Sequence, residues 1–257
     1  MQTVILCGGT GTRLREQTEF IPKPLVPIGG KPLIWHIMMI YSHYGFDDFV
    51  LPLGYKQEAF KHYFANFHYI NSDMLSVLGG LKNTVVTSSA LPYWRVVLSD
   101  TGADTMKGGR IKRVQRYILG DDFLCTYGDG VGDIDIGKLV AFHKAHGKIA
   151  TVTGVYPRPR FGDLHCDGNS VTSFTEKVTA GCLVSGGFFV FKRAILDHLS
   201  ESEHCDLEVG VLDKLAVAGE LMVYRHEGWW GCVDTIKEMN ELDHLWVTGK
   251  APWKIWK

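Results

Sequence analysis

Short β-branched runs alternating with amphipathic stretches are what most constrain this chain. Thr3 to Cys7, Phe49 to Leu53, Phe123 to Tyr127 and Ala150 to Val155 are apolar and bounded by Gly, Asp or Pro, as suits parallel strands buried on both faces. Between them, Leu33 to Tyr44 and Gln57 to Phe67 are long enough for amphipathic helices, and Asp135 to His146 sets Ile136, Leu139, Val140 and His143 on one face. Strand, helix, strand order requires right-handed crossovers, so a layered α/β fold is expected.

Beyond about Tyr156 the strands shorten, to Leu164–Cys166, Val171–Thr175 and Leu183–Phe191, with helices expected near Leu207–Ala218 and Thr235–Val247. No Pro/Gly/Ser-rich linker separates the halves. A single domain over 1–257 is therefore expected, whose C-terminal part, from about residue 156, completes the site. The 27 Lys and Arg balance 28 Asp and Glu, a net charge of −1, which gives no basis for gripping nucleic acid or an anionic membrane. Any bound anion must be held locally. No apolar run reaches the ~20 residues of a bilayer span, and Met1 to Cys7 has neither a basic leader nor a cleavage site. A soluble, cytoplasmic protein is expected.

The six cysteines, Cys7, Cys125, Cys166, Cys182, Cys205 and Cys232, lack zinc-site pairing or disulfide density and read as buried thiols. His143 and His146 share a helix face and read as solvated. The tail tryptophans, Trp253 and Trp256, cover either the chain's own core or a subunit interface.

The strongest local signal is Leu6-Cys7-Gly8-Gly9-Thr10-Gly11-Thr12-Arg13-Leu14, where glycines directly after a buried strand let backbone N–H groups approach an anion. A Walker loop would need Gly-Lys-Ser/Thr where Arg13 stands. A dinucleotide site would need an acidic residue about 20 positions on, where Ile28, Gly29 and Gly30 stand. What remains is a phosphate cradle of another kind. Pro22-Lys23-Pro24 holds a lysine in an extended backbone restricted by two prolines and offers a phosphate clamp. Arg13 and Lys23 together suit a triphosphate and a second phosphate, which must be brought into contact despite repulsion.

Such chemistry recruits a divalent metal. Asp129, in Tyr127-Gly128-Asp129-Gly130 at the end of a buried strand, is the first candidate ligand. Asp133 reads as a helix N-cap. Asp234, in Gly231-Cys232-Val233-Asp234-Thr235, either caps the following helix or faces the metal.

In order, the glycine loop with Arg13, Pro22-Lys23-Pro24, Gly128-Asp129-Gly130, Glu176-Lys177, Gly186-Gly187 and Val233-Asp234-Thr235 resemble the sugar-1-phosphate nucleotidylyltransferases. Trp35-His36-Ile37-Met38, Asp100-Thr101-Gly102, Gly108 to Val114, Phe142 to Lys148 and Gly249 to Lys254 bring the resemblance to the branch that transfers CMP to glucose 1-phosphate. It covers nearly the whole chain. It implies a Rossmann-like, mixed but mostly parallel sheet flanked by helices, of the nucleotide-diphospho-sugar transferase type. It also implies attack of an acceptor phosphate on the α-phosphate of CTP, with no covalent enzyme intermediate, and release of pyrophosphate.

Carried over residue by residue, Leu6, Gly8, Gly9, Thr10, Gly11, Thr12 and Gly128 surround the nucleotide. Arg13 and Lys23 stabilise its charge, and Asp129 and Asp234 hold Mg²⁺. Thr105 and Arg110, in a loop before a helix over 110–117, meet the cytosine. Gly162, Glu176, Lys177, Ser185, Gly186 and Gly187 take the acceptor. The resemblance also implies a nucleotide-binding half over about 1–155, an acceptor-binding and oligomerisation half over about 156–257, and a homo-oligomer.

The family usually has Glu-Lys-Pro where this chain reads Glu176-Lys177-Val178, and Asn-Gly-Gly where it reads Ser185-Gly186-Gly187. His204 to Gly210 also lacks the Trp-Glu-x-Glu-Pro of glucose enzymes, while Arg158, Arg160 and His165 offer contacts to an acidic acceptor. A different phosphorylated acceptor, a sugar phosphate or an amino-acid derivative, therefore stands beside glucose 1-phosphate. From another class, a nucleotide-binding regulator without catalysis is a third reading.

Overall fold

The structure, a computed structural model, describes residues 1–9, 11, 14, 19–77, 82–86, 91–157, 163–175 and 182–257. A seven-stranded sheet is built from β1 (Thr3–Leu6), β2 (Asp48–Leu53), β3 (Arg95–Asp100), β4 (Asp122–Tyr127), β5 (Ala150–Val155), β6 (Val184–Lys192) and β7 (Leu221–Arg225). Their order is β7-β5-β6-β4-β1-β2-β3. All neighbours run parallel except β6, which is antiparallel to both β5 and β4. The expected mixed, mostly parallel sheet is thus present, and strands from both halves of the chain join it.

Pleating sorts the core. Ile5, Leu51, Leu124, Phe188 and Val190 point into one layer, with Leu33, Ile37 and Leu139 from the helices. Val4, Val50, Phe123, Phe189 and Phe191 point into the other. Consecutive aromatics on β6 therefore face opposite ways, as a period of two requires. Full burial of each is worth about 2–3 kcal/mol.

The helices over this sheet are α1 (Leu33–His43), α2 (Gln57–Ala65), α3 (Lys107–Arg113), α4 (Ile136–His146) and α5 (Ile236–Val247). The stretch expected as one helix to Phe67 breaks at Asn66, and a short turn of helix follows over Phe67–Asn71. The helix expected over 207–218 is also interrupted. Val209 and Gly210 leave helical geometry, Gly210 at φ 95°, before a short helix at Asp213–Val217.

Asp133 is not the cap of α4: Asp135 is, accepting from the Lys138 N–H at 2.9 Å. Asp133 Oδ1 instead lies 2.9 Å from Nε2 of His226. The expected solvated histidines are corrected too. His143 is buried, and His143 Nδ1 and His146 Nε2 lie 2.8 and 2.7 Å from Thr151 Oγ1, tying α4 to β5. Cys7 and Cys125 are buried as expected, but Cys182 is exposed and Cys205 and Cys232 are partly so.

The tail covers the chain's own core. Trp253 is fully buried, stacks on Trp229 at 5.1 Å and donates its N–H to His36 Nδ1 at 3.4 Å. That fixes His36 as a neutral ring whose Nε2 donates to Ile28 O at 2.9 Å. Among the described residues no helix is long and apolar enough to cross a membrane.

Candidate active site

Strands β1 and β4 lie side by side in parallel, Leu6 opposite Tyr127, so the loops after them leave the same edge of the sheet together. The connections diverge there, which opens a crevice at the carboxyl ends of the strands. Gly128 is what lets the third element in. A Cβ on it would fall 2.8 Å from Pro24 and 2.9 Å from Leu6 O, so only glycine allows the 22–25 turn to pack against β4.

That turn is tighter than the extended segment expected from two prolines. Pro22 is extended (φ −65°, ψ 145°), but Lys23–Leu25 form a 3₁₀ turn, closed by Val26 N donating to Lys23 O at 3.1 Å. Pro24 sits in the first turn, where its missing N–H costs nothing. Lys23 is buried, 9% exposed as a residue, and its ammonium donates to Asp129 Oδ2 at 2.8 Å and to Asp234 Oδ1 at 2.6 Å. Burial pulls its pKa down, but the charge of Asp129 and its bonds to both carboxylates outweigh this and raise it.

The sequence left Asp234 open between cap and site, and the structure separates the roles. Thr235 caps α5 in a capping box with Glu238, while Asp234 turns to Lys23. The position is enforced by a two-stranded ribbon, Gly130–Gly132 against Trp230–Cys232, and by Val233 N donating to Asp129 O at 2.9 Å. Two carboxylates on one ammonium leave one negative charge in excess. Their oxygens are hard donors of the kind divalent cations take. Among the described residues no cluster of three or more His, Cys, Asp or Glu could cage a metal.

A cavity of about 400 Å³ opens over this centre, its walls including Gly8, Gly9, Gly11, Thr105, Lys107, Arg110, Tyr127 and Asp206. Arg110 is not in a loop before a helix, as expected, but within α3, and the regular helix ends at Arg113. Its Nη1 donates to Leu53 O, Thr101 Oγ1 and Gly102 O at 2.8–3.0 Å, and its Nη2 to Gly8 O and Ala103 O at 2.9 Å. Thr105 Oγ1 accepts from Arg113 at 2.7 Å.

The acceptor candidates at the start of β6 adjoin the centre. Gly186 O accepts from Trp230 Nε1 at 2.9 Å, Gly187 lies against the Tyr127 ring, and Ser185 is exposed. Thr10, Thr12, Arg13, Gly162, Glu176 and Lys177 lie outside the described residues, as do Val178, Arg158, Arg160 and the side chain of His165. Sequence reasoning assigned no role to Lys107, Tyr127, Asp206 or Glu208. No motif spacing joins residues 107, 127 and 208, which meet only through the fold.

The model of the nucleotidyl transferase family matches residues 2–244. A glucose-1-phosphate cytidylyltransferase of Salmonella typhi is 46% identical over 259 residues, covering all of both chains. A UTP-glucose-1-phosphate uridylyltransferase of Synechocystis is 24% identical over 230 residues, 85% of this chain and 56% of that one. Among solved structures, HddC from Yersinia pseudotuberculosis complexed with GMP-PN matches with a TM-score of 0.69 at 22% identity, covering 95% of this chain and 99% of that one. The inositol-1-phosphate CTP transferase from T. maritima matches at 0.65 with 15% identity, covering 100% and 98%.

Proposed function

The chain belongs to the nucleotidyl transferase family, and from that premise we propose that it transfers CMP from CTP to glucose 1-phosphate. An oxygen of the acceptor phosphate attacks the α-phosphorus, the bond to the β-phosphate breaks, and CDP-glucose and pyrophosphate leave. The observation that carries the chemistry is Lys23 and Asp129 in the wall of the cavity, with Asp234 bonded to the same Lys23 ammonium. The identity over the full length of the Salmonella relative supports the choice of CTP and glucose 1-phosphate.

In this reading the backbone of Gly8, Gly9 and Gly11 receives the triphosphate, and Lys23 supplies a cation where charge accumulates. Asp129 and Asp234 would hold Mg²⁺, which when bound neutralises phosphate charge and orients the transferred group. Burial of Lys23 excludes water from its ammonium and strengthens its field. Ser185, Gly186 and Gly187 place the acceptor beside Asp129, so residues 1–155 serve the nucleotide and 156–257 the acceptor. Intact Lys23 and both carboxylates speak for an enzyme over a regulator.

The test is pyrophosphate release with Mg²⁺, crossing CTP, UTP, dTTP, ATP and GTP against glucose 1-phosphate and other phosphorylated acceptors. Release with CTP and glucose 1-phosphate is expected. Release with CTP and another acceptor alone would keep the nucleotide and replace the sugar.

A further inference from the structure

We propose, on the reading of Asp129 and Asp234 as the Mg²⁺ ligands, that His226 and Asp133 form a positioning pair. They clamp the outer end of the ribbon whose inner end sets Asp234 beside Asp129, and so fix the spacing of the two carboxylates.

The ribbon is short for what it carries. It pairs Trp230 with Gly132, Gly231 with Val131 and Cys232 with Gly130, and a two-stranded ribbon of this kind is marginal in water without support from elsewhere. Its inner end is joined by Val233 N donating to Asp129 O at 2.9 Å, and Asp234 is the next residue. Any slip or splay of the strands therefore moves one carboxylate against the other.

Lys23 draws the two carboxylates together by bonding both. In the proposed reaction the ammonium turns to phosphate, and the carboxylates then face a shared cation. Their separation at that moment depends on the strands that carry them.

The outer end is closed by a side chain. Asp133 N donates to Trp229 O at 3.2 Å, and His226 Nε2 lies 3.3 Å from the same oxygen and 2.9 Å from Asp133 Oδ1. One ring nitrogen thus touches both strands just beyond their last pair. With two oxygens facing it, Nε2 carries a proton. The His226 side chain is sheltered, 10% exposed, and Gly228 makes room for the contact. A Cβ there would fall 2.5 Å from Asp133 Oδ1 and 2.7 Å from His226 Cε1.

His226 is itself anchored to the large sheet. It follows β7 directly, and its backbone N–H donates to Gly154 O on β5 at 2.9 Å. In the ribbon, Trp230 Nε1 donates to Gly186 O on β6. The clamp therefore ties the carboxylates to the β5–β6 edge, where the acceptor candidates Ser185, Gly186 and Gly187 stand. Residues that orient a metal's ligands typically change metal affinity or activity 10–100-fold when removed.

The experiment measures CTP binding by calorimetry with Mg²⁺ and with EDTA in the wild type, His226→Leu, His226→Gln and Gly228→Ala, together with their melting temperatures. The ratio of the two affinities reports how well the site takes the metal with the nucleotide, and a brace that serves stability alone does not move it. Mg²⁺ is expected to tighten CTP binding in the wild type. His226→Leu should lower that ratio about tenfold, with its affinity in EDTA unchanged within about threefold, whereas His226→Gln, which keeps a donor, should stay within about threefold of the wild-type ratio. Gly228→Ala, which presses a methyl on Asp133 Oδ1, should lower it more than about threefold, and it decides alone if His226→Leu does not fold. A wild type that gains nothing from Mg²⁺ sinks the metal reading and the clamp with it. A wild-type gain that His226→Leu and Gly228→Ala both keep within about threefold, whatever their melting temperatures, leaves that reading standing and overturns the clamp.

Discussion

Lys23 and Arg110 are two buried cations in the walls of one cavity, and they are neutralised in opposite ways. Lys23 faces two carboxylates, brought from residues 129 and 234. Arg110 faces neutral oxygens, four of them main-chain carbonyls. A charge paired with charges can exchange partners when an anion and a cation enter together, because the carboxylates accept the new cation as the ammonium accepts the anion. A charge spread over neutral oxygens has no such exchange open to it: Leu53 O keeps its bonds from Thr101 and Gly8 O its bond from Tyr55 N, but none of these oxygens carries a charge with which to take up an incoming cation. Burial of a cation therefore does not by itself mark a catalytic group.

The largest effect should fall on Lys23. Lys23→Ala is expected to lower kcat on the order of 10²- to 10³-fold at saturating CTP, acceptor and Mg²⁺, the magnitude of losing a preorganised electrostatic group. Near wild-type turnover would erase the distinction drawn here. Next comes Arg110→Met, which should cost about 2 kcal/mol of stability by removing the guanidinium's hydrogen bonds to Leu53 O, Thr101 Oγ1, Gly102 O, Gly8 O and Ala103 O. At 2–4 °C per kcal/mol for a chain of this size, its melting temperature should drop by about 4–8 °C. An Arg110 variant that melts like the wild type but no longer binds CTP would reverse the two roles.

How much of this the sequence could tell depended on distance along the chain. Strands β1, β4 and β5 and the apolar face of α4 were readable because period and burial are local properties. Asp129 was readable because it follows a buried strand directly. The partner of Lys23 at residue 234 was only half readable: whether Asp234 caps α5 or faces the site depends on Thr235 taking the cap, a competition between neighbours that both have capping side chains. Arg110 was placed by the resemblance alone, beside a helix over 110–117, whereas the helix begins at Lys107 and takes in Gly108 and Gly109, whose close packing on Cys205 and Ser202 makes small residues necessary. His143 looked solvated because nothing local announces Thr151 as its partner on the neighbouring strand.

The scaffold and the site should also separate by pH. Burial pushes His36 and His143 down to about 4, for His143 against the opposing pull of Asp122. Unfolded histidine titrates near 6.5, so the unfolded chain takes up protons first as pH falls. Stability is complete above about pH 6.5 and is lost as pH drops toward 4, at about 1 kcal/mol per histidine per pH unit. Denaturant unfolding at pH 7.5, 6.5 and 5.5 should show this slope, and His143→Gln should flatten it. Lys23 contributes nothing in that window, because its raised pKa keeps it charged far above it. A slope unchanged in His143→Gln would mean that other groups carry the acid sensitivity.

The smallest effect is expected where the acceptor enters. Ser185 is exposed, and its Oγ accepts from Gly187 N at a long 3.4 Å, so it holds neither the turn nor the buried centre tightly. An asparagine there, as the family usually has, would keep an oxygen for the same N–H and add an amide that reaches further toward sugar hydroxyls. Ser185→Asn should accordingly change the KM for glucose 1-phosphate by less than about threefold, the scale of an exposed substitution, and leave the dependence on CTP as it was. A tenfold fall in that KM would show that the serine weakens glucose recognition, and that this rim sets acceptor choice as firmly as the buried carboxylates set the chemistry.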